Sequence, residues 1–219
     1  MNKKFLLGSV LFMGLVILVY FLTAPEKNSK KRLGPETENT QKTTEIDESI
    51  ITDMLLGSKD AQIKVFEYAS FTCPHCRSFH ENVFKKLKTN YIDTNKISFT
   101  YREIYFDRYG LWASIIARCS GQDKFFAISD LLYRKQSEWT KGSPDEIADN
   151  LRRIGIVSGL AQDDVEACFK DGQKAQSLVA WSEENSKKDE ITSTPSFIIN
   201  GKKYANLSYL EFKQILDSE

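Results

Sequence analysis

Two cysteines two residues apart, in Cys73-Pro74-His75-Cys76, are the side chains of this sequence best placed to do chemistry. In a reducing compartment that spacing points to redox catalysis or a metal, and in an oxidising one to disulfide exchange. The thiolate is the attacking species, so a working pair needs one cysteine that is exposed and stabilised as an anion. The second must lie close enough to resolve the mixed disulfide. With Pro74 in the first turn of a helix, Cys73 stands at the helix N-terminus, where unpaired N–H groups and the helix dipole favour an anion. Its pKa should be lowered. Cys76 lies one turn further in, with Phe79 and Val83 at i+3 and i+7, so it faces the core and is the resolving thiol. Pro74 and His75 tune the pair, His75 through a hydrogen bond or partial charge on the Cys73 thiolate. Each pKa unit of such stabilisation favours the reduced form by about 1.4 kcal/mol.

The competing chemistry is metal binding, because His80 follows Cys76 by four residues. A tetrahedral site needs a fourth ligand, and the chain has only His75 and His80 and no second Cys-x-x-Cys. No metal is expected, and His80 is read as a partly buried helix residue.

The elements that must position the cysteines are legible on either side of them. Ile63-Lys64-Val65-Phe66-Glu67-Tyr68 reads as a strand, the motif as a turn, and Phe79, Val83 and Leu87 as one face of a helix. Ile97 to Arg102 alternates apolar and polar residues, a second strand expected to lie parallel to the first in a right-handed βαβ unit. From about Tyr109 to Lys188 the spacing is helical throughout, with Ser143-Pro144-Asp145-Glu146 as a helix start and a further short helix over 163–170. Strand signals return at Pro195 to Ile199 and Lys202 to Tyr204, joined by Asn200-Gly201, a dipeptide suited to a tight hairpin. A closing helix carries Leu210, Phe212 and Ile215. The expected architecture is α/β, a mixed sheet built from a βαβ half and a ββα half, with a helical domain inserted between them. Its boundaries are 46–107 and 189–219 for the sheet domain and 108–188 for the insertion.

Tyr68-Ala69-Ser70-Phe71-Thr72-Cys73-Pro74-His75-Cys76 resembles the active-site segment of the DsbA-like thiol:disulfide oxidoreductases, and Thr192-Ser193-Thr194-Pro195-Ser196-Phe197 resembles their later loop. The resemblance covers the chain from about Ile51 to its end. It implies a thioredoxin-like fold with a helical insertion, and no cofactor. It also implies a cis Thr194–Pro195 bond beside the cysteines, with the Thr194 backbone able to pair with a substrate peptide. Pro74-His75 resembles the dipeptide of the oxidising members, implying disulfide donation to exported proteins and reoxidation by a DsbB-like, quinone-linked membrane partner. Reduction or isomerisation is the alternative direction. A tethered peptide-binding or metal-carrying module is a third reading.

Composition and the chain start bound the setting. With 41% hydrophobic residues the chain can bury a real core, and with 30 basic against 30 acidic residues it lacks the one-sided field of a nucleic-acid binder. Lys3 and Lys4 precede an uncharged, mostly apolar run from Phe5 to Leu22, long enough to cross a bilayer, so residues 1–24 read as a signal peptide or membrane anchor. Leu22-Thr23-Ala24 before Pro25 is a poor cleavage site, which favours an uncleaved anchor. Lys27, Lys30, Lys31 and Arg32 run against the positive-inside bias for an exported C-terminus. Residues 25–45 are polar and read as a flexible linker. A periplasmic location, exported or anchored in the inner membrane, follows as an expectation. There Cys119 and Cys168, each on an apolar stripe, are expected to form a structural disulfide, worth up to about 4 kcal/mol for so long a loop. Two buried free thiols would leave the same pattern.

Overall fold

The structure is a computed structural model that describes residues 46–219; the apolar run and the linker expected over 1–45 lie outside the described residues. A 3-10 turn (Glu48–Ile50) leads into strand β1 (Met54–Gly57), and β2 (Ile63–Ala69) ends at the cysteine motif. Helix α1 (Pro74–Phe79) continues without a break through a π turn (His80–Phe84), a short α stretch (Lys85–Leu87) and a second π turn (Lys88–Ile92) into β3 (Ile97–Glu103). Six helices follow: α2 (Arg108–Ala117), α3 (Gln122–Arg134), α4 (Gln136–Trp139), α5 (Pro144–Val157), α6 (Gln162–Lys170) and α7 (Gly172–Lys188). Strands β4 (Ser196–Ile199) and β5 (Lys202–Tyr204) and helix α8 (Tyr209–Ser218) complete the chain.

The sheet order is β1-β3-β2-β4-β5. β2 and β3 pair in parallel from Ile63 opposite Ile97 to Ala69 opposite Glu103, while β1 pairs with β3, and β4 with both β2 and β5, antiparallel. β2 is therefore central, buried on both faces at Val65, Glu67, Tyr68 and Ala69. Strand β1 escapes the sequence reading because four residues offer too little alternation to register. Its last residue, Gly57, has φ +82°, and a Cβ there would meet the Ile97 carbonyl oxygen at 2.5 Å, so glycine closes this edge. At the β4–β5 turn Asn200 and Gly201 both take positive φ, 46° and 83°, as the hairpin dipeptide requires.

One core lies between the sheet and the helices α1 and α8, where Phe79, Phe84, Leu87, Phe99, Phe197 and Phe212 meet. The other joins the sheet's far face and the motif to the helical block, through Phe71, Tyr101, Phe125, Leu132, Trp139 and Leu151. Two expectations shift in register. The π turn after Phe79 inserts an extra residue, so Phe84 takes the buried place expected of Val83, which is only half-covered. In α8 the buried face is Phe212 and Leu216, whereas Leu210 is 69% exposed.

Candidate active site

Strand β2 delivers the chain to a tight turn at Ser70-Phe71-Thr72, and α1 begins directly after it. The Cys73 amide donates to the Ser70 carbonyl at 3.1 Å. Cys73 is the N-cap, Pro74 is the first helical residue, and the Cys76 amide donates to the Cys73 sulfur at 3.4 Å. A sulfur in the N-cap position thus takes the place of the usual capping oxygen, and the helix presents its free N–H groups to it.

The two thiols are free and differ sharply in environment. Cys73 is held down to about 5, first by the hydrogen bond from the Cys76 thiol, then, against the opposing effect of burial, by the Thr194 side chain and the Cys76 and His75 backbone N–H groups. Burial pushes Cys76 far above the ordinary thiol value, and the Cys73 hydrogen bond and the nearby Cys73 and Glu67 charges push the same way. Two details differ from the sequence expectation. His75 acts through its backbone N–H, its ring being exposed, and Cys73 is only 6% accessible rather than open, because the Thr194 loop covers it. The Cys73 thiol donates to the Thr194 carbonyl at 3.6 Å, and the Thr194–Pro195 bond is cis.

The helical block holds this turn in place. Gln136, at the start of α4 and buried, donates to the carbonyls of both Phe71 and Cys73, at 2.8 and 2.9 Å. The Tyr133 hydroxyl donates to the Ser70 carbonyl at 3.3 Å. The Thr72 hydroxyl donates to Asp107, whose other oxygen caps α2 by accepting from the Tyr109 and Gly110 amides. Below the turn, Glu67 sits on β2 with no solvent exposure, its Oε2 3.1 Å from His80 Nε2. None of Gln136, Asp107 and Glu67 stands out by motif. Glu67 alone left a signal, a carboxylate in the register of Val65 and Ala69 on a strand face that must be buried.

Away from the turn, Cys119 and Cys168 form a disulfide that links the end of α2 to α6 across 49 residues, with Cα atoms 5.8 Å apart. Among the described residues, no three His, Cys, Asp or Glu side chains are grouped to hold a metal ion, and His80 is turned to Glu67.

The sequence model of the family described as Thioredoxin matches residues 49–218. A Rickettsia bellii protein to which a protein-disulfide oxidoreductase activity is assigned is 35% identical over 184 residues, 84% of this chain and 69% of that protein. The chain belongs to the DsbA-like thiol:disulfide oxidoreductases of the thioredoxin family. Among solved structures, Wolbachia pipientis alpha-DsbA1 matches with a TM-score of 0.69 and 30% identity, covering 80% of this chain and 95% of that one. The Bacillus subtilis disulfide bond formation protein D is 26% identical and covers 78% of both chains. This family member has the thioredoxin-like fold with its helical insertion, and it is a protein-disulfide oxidoreductase.

Proposed function

We propose that the chain donates disulfides to exported proteins outside the cytoplasm, with Cys73 as the attacked and attacking sulfur, Cys76 as the resolving one, and Thr194-Pro195 as the substrate-pairing loop. The observation that carries the direction is the Cys73 sulfur at the start of α1, favoured as an anion by N–H donors and by the Cys76 thiol. A stabilised thiolate lowers the energy of the reduced form, so the disulfide form becomes the stronger oxidant. In donation, a substrate thiolate attacks Cys73 Sγ, the Cys73–Cys76 bond breaks, and its electron pair leaves on Cys76, which takes a proton. A second substrate thiolate then attacks the substrate sulfur of the mixed disulfide, and Cys73 leaves as a thiolate. A low-pKa thiol is the better leaving group in that last step.

In this reading residues 1–24 direct export or anchor the protein, 25–45 tether it, and a DsbB-like quinone-linked membrane protein reoxidises it. The sheet domain takes 46–107 and 189–219 and the helical insertion 108–188, a division supported by the unbroken helix succession from Arg108 to Lys188. The test is the redox potential of the Cys73/Cys76 pair in the full-length protein in detergent micelles, equilibrated against glutathione. Donation requires a potential clearly more oxidising than the glutathione couple. A strongly reducing value would assign the protein to reduction, and a pair that forms no reversible disulfide would remove exchange from these cysteines.

A further inference from the structure

Residues 190–195 run from the end of α7 to the start of β4 and lay Thr194 over Cys73. A segment this short takes its position from its two ends, and both of them meet Tyr68. At one end the Tyr68 backbone, in the central strand β2, lies opposite Ser196, the first residue of β4. At the other end the Tyr68 hydroxyl donates to a carboxylate oxygen of Asp189, the residue that closes α7. The Asn185 carbonyl, in the last turn of the same helix, is a more distant acceptor at 3.4 Å. Tyr68 stands on the strand that leads into the cysteine turn, so this bond ties the Thr194 loop to the element that delivers Cys73.

The hydroxyl is itself held in place. Arg102, the register partner of Tyr68 on β3, donates to it through Nη1 at 2.8 Å, which leaves the phenol proton for Asp189. The guanidinium is fixed by two bonds of 3.0 Å to the Asp53 carboxylate and lies over the Phe66 ring, 4.6 Å from its centroid. Burial first, then the Asp189 bond, pushes the Tyr68 phenol above its ordinary value, so it stays a donor. The other bonds of the segment run elsewhere. The Ile191 amide donates to Ser186 on α7 at 2.8 Å, the Ser196 hydroxyl to the Ser193 carbonyl at 2.7 Å, and Lys203 on β5 to the Glu190 carbonyl at 2.9 Å. With Asp189 released, the loop would keep its anchorage at β4 and lose its tie to β2, and the Thr194 carbonyl would lie less firmly over Cys73.

We propose that Tyr68 is a positioning residue for disulfide exchange: its hydroxyl holds Asp189 while its strand holds Ser196, and together they set how closely the Thr194 loop covers the Cys73 sulfur. The role rests on Cys73 being the exchanging sulfur and is independent of the direction proposed above. It acts on two properties of that sulfur. One is access, since Cys73 is only 6% accessible beneath the loop. The other is proton affinity, since Thr194 is among the groups that hold Cys73 down.

The experiment treats reduced full-length protein in detergent with iodoacetamide well above the Cys73 value of about 5, where the sulfur is fully a thiolate and the rate reports access. Mass spectrometry reads Cys73 and Cys76 separately. Tyr68→Phe keeps the buried ring and removes the hydroxyl; it should alkylate Cys73 about threefold faster or more, and raise the midpoint of its ultraviolet titration by about 0.5 unit. Cys76 should stay unmodified. Asp189→Asn keeps an acceptor for the hydroxyl and stays within about twofold of wild type. Asp189→Ala reproduces Tyr68→Phe and adds nothing in its background. Should Tyr68→Phe not fold, Asp189→Ala takes its place. The proposal is overturned if Tyr68→Phe leaves the rate or the midpoint at its wild-type value, or if Cys76 is alkylated in step with Cys73, which marks opening of the whole fold. It is equally overturned if Asp189→Asn behaves as Asp189→Ala, or if Asp189→Ala keeps its full effect beside Tyr68→Phe. A wild type whose Cys73 is alkylated yet forms no mixed disulfide with oxidised glutathione would instead sink the exchange reading of the cysteines.

Discussion

The two cysteine pairs of this protein use the same element in opposite ways. Cys73 and Cys76 lie one helical turn apart and are free, whereas Cys119 and Cys168 lie 49 residues apart and are bonded. The first pair sits where a helix begins, so one sulfur meets N–H donors while the other is sealed in the core, and their proton affinities are driven in opposite directions. The second pair sits where a helix ends. There Cys119 Sγ lies 3.4 Å from the Asp164 carbonyl and Cys168 Sγ lies 3.9 Å from that of Cys119. Cys73 also meets a carbonyl, that of Thr194, but it has the N–H groups of α1 besides, and the hydrogen-bond neighbours of Cys119 and Cys168 are carbonyls alone, so this pair lacks the activation of the first. Reactivity is set by which end of the backbone dipole a sulfur meets, and the loop closed sets what a bond there contributes to stability.

That contrast is easiest to break at Cys73. Replacing it with Ser should abolish exchange, while Cys76→Ser should accumulate substrate covalently on Cys73, seen as higher-mass bands on non-reducing gels; turnover surviving in Cys73→Ser would move the chemistry elsewhere. Next in size, the double change of Cys119 and Cys168 to Ala should lower unfolding stability by about 4 kcal/mol in the chain-entropy treatment. It should leave the Cys73 thiolate titration, followed by its ultraviolet absorbance, with its midpoint near 5. A large displacement of that midpoint would mean the two pairs are not independent. Gln136→Leu should cost about 1–3 kcal/mol by leaving buried carbonyls of the active-site turn unpaired, and urea titration of the variant against wild type measures it.

A further effect, comparable in size to that of Gln136→Leu, is one of pH. Cys73 drops from an ordinary value of 9.0 to about 5 in the folded reduced protein. The stabilisation is therefore complete above about 9, partial between the two values, and lost as pH falls through about 5. Melting of reduced and oxidised protein at pH 7 and pH 4 should show the reduced form losing more stability on acidification. Equal losses would mean the thiolate is not stabilised by the fold.

Much of the scaffold was legible because its signals are local. The strand at Ile63 and the helix start at Ser143, where the structure has a full capping box with Glu146, depend on neighbours within four residues, and so does the Asn200-Gly201 turn. What escaped depends on distant contacts. β1 is a strand because β3 offers it an edge, and Val83 yields its place to Phe84 because a π turn resets the helix phase. Gln136 and Asp107 belong to no local motif, and their part is visible only where the helical block folds onto the turn they hold.

The sequence by itself determined the reactive pair and the asymmetry within it, because the Cys-Pro-His-Cys spacing, the helix start and the apolar positions after it are all properties of consecutive residues. Tertiary structure decided the rest: the Thr194 loop over Cys73, the carboxyl and imidazole beneath Cys76, and the joining of Cys119 to Cys168. The contacts that make these meetings, His80 with Glu67, Cys119 with Cys168 and Cys73 with Thr194, join residues 13, 49 and 121 apart, and no local pattern records them, since it is the closing of the sheet and the burial of its faces that place the groups within reach.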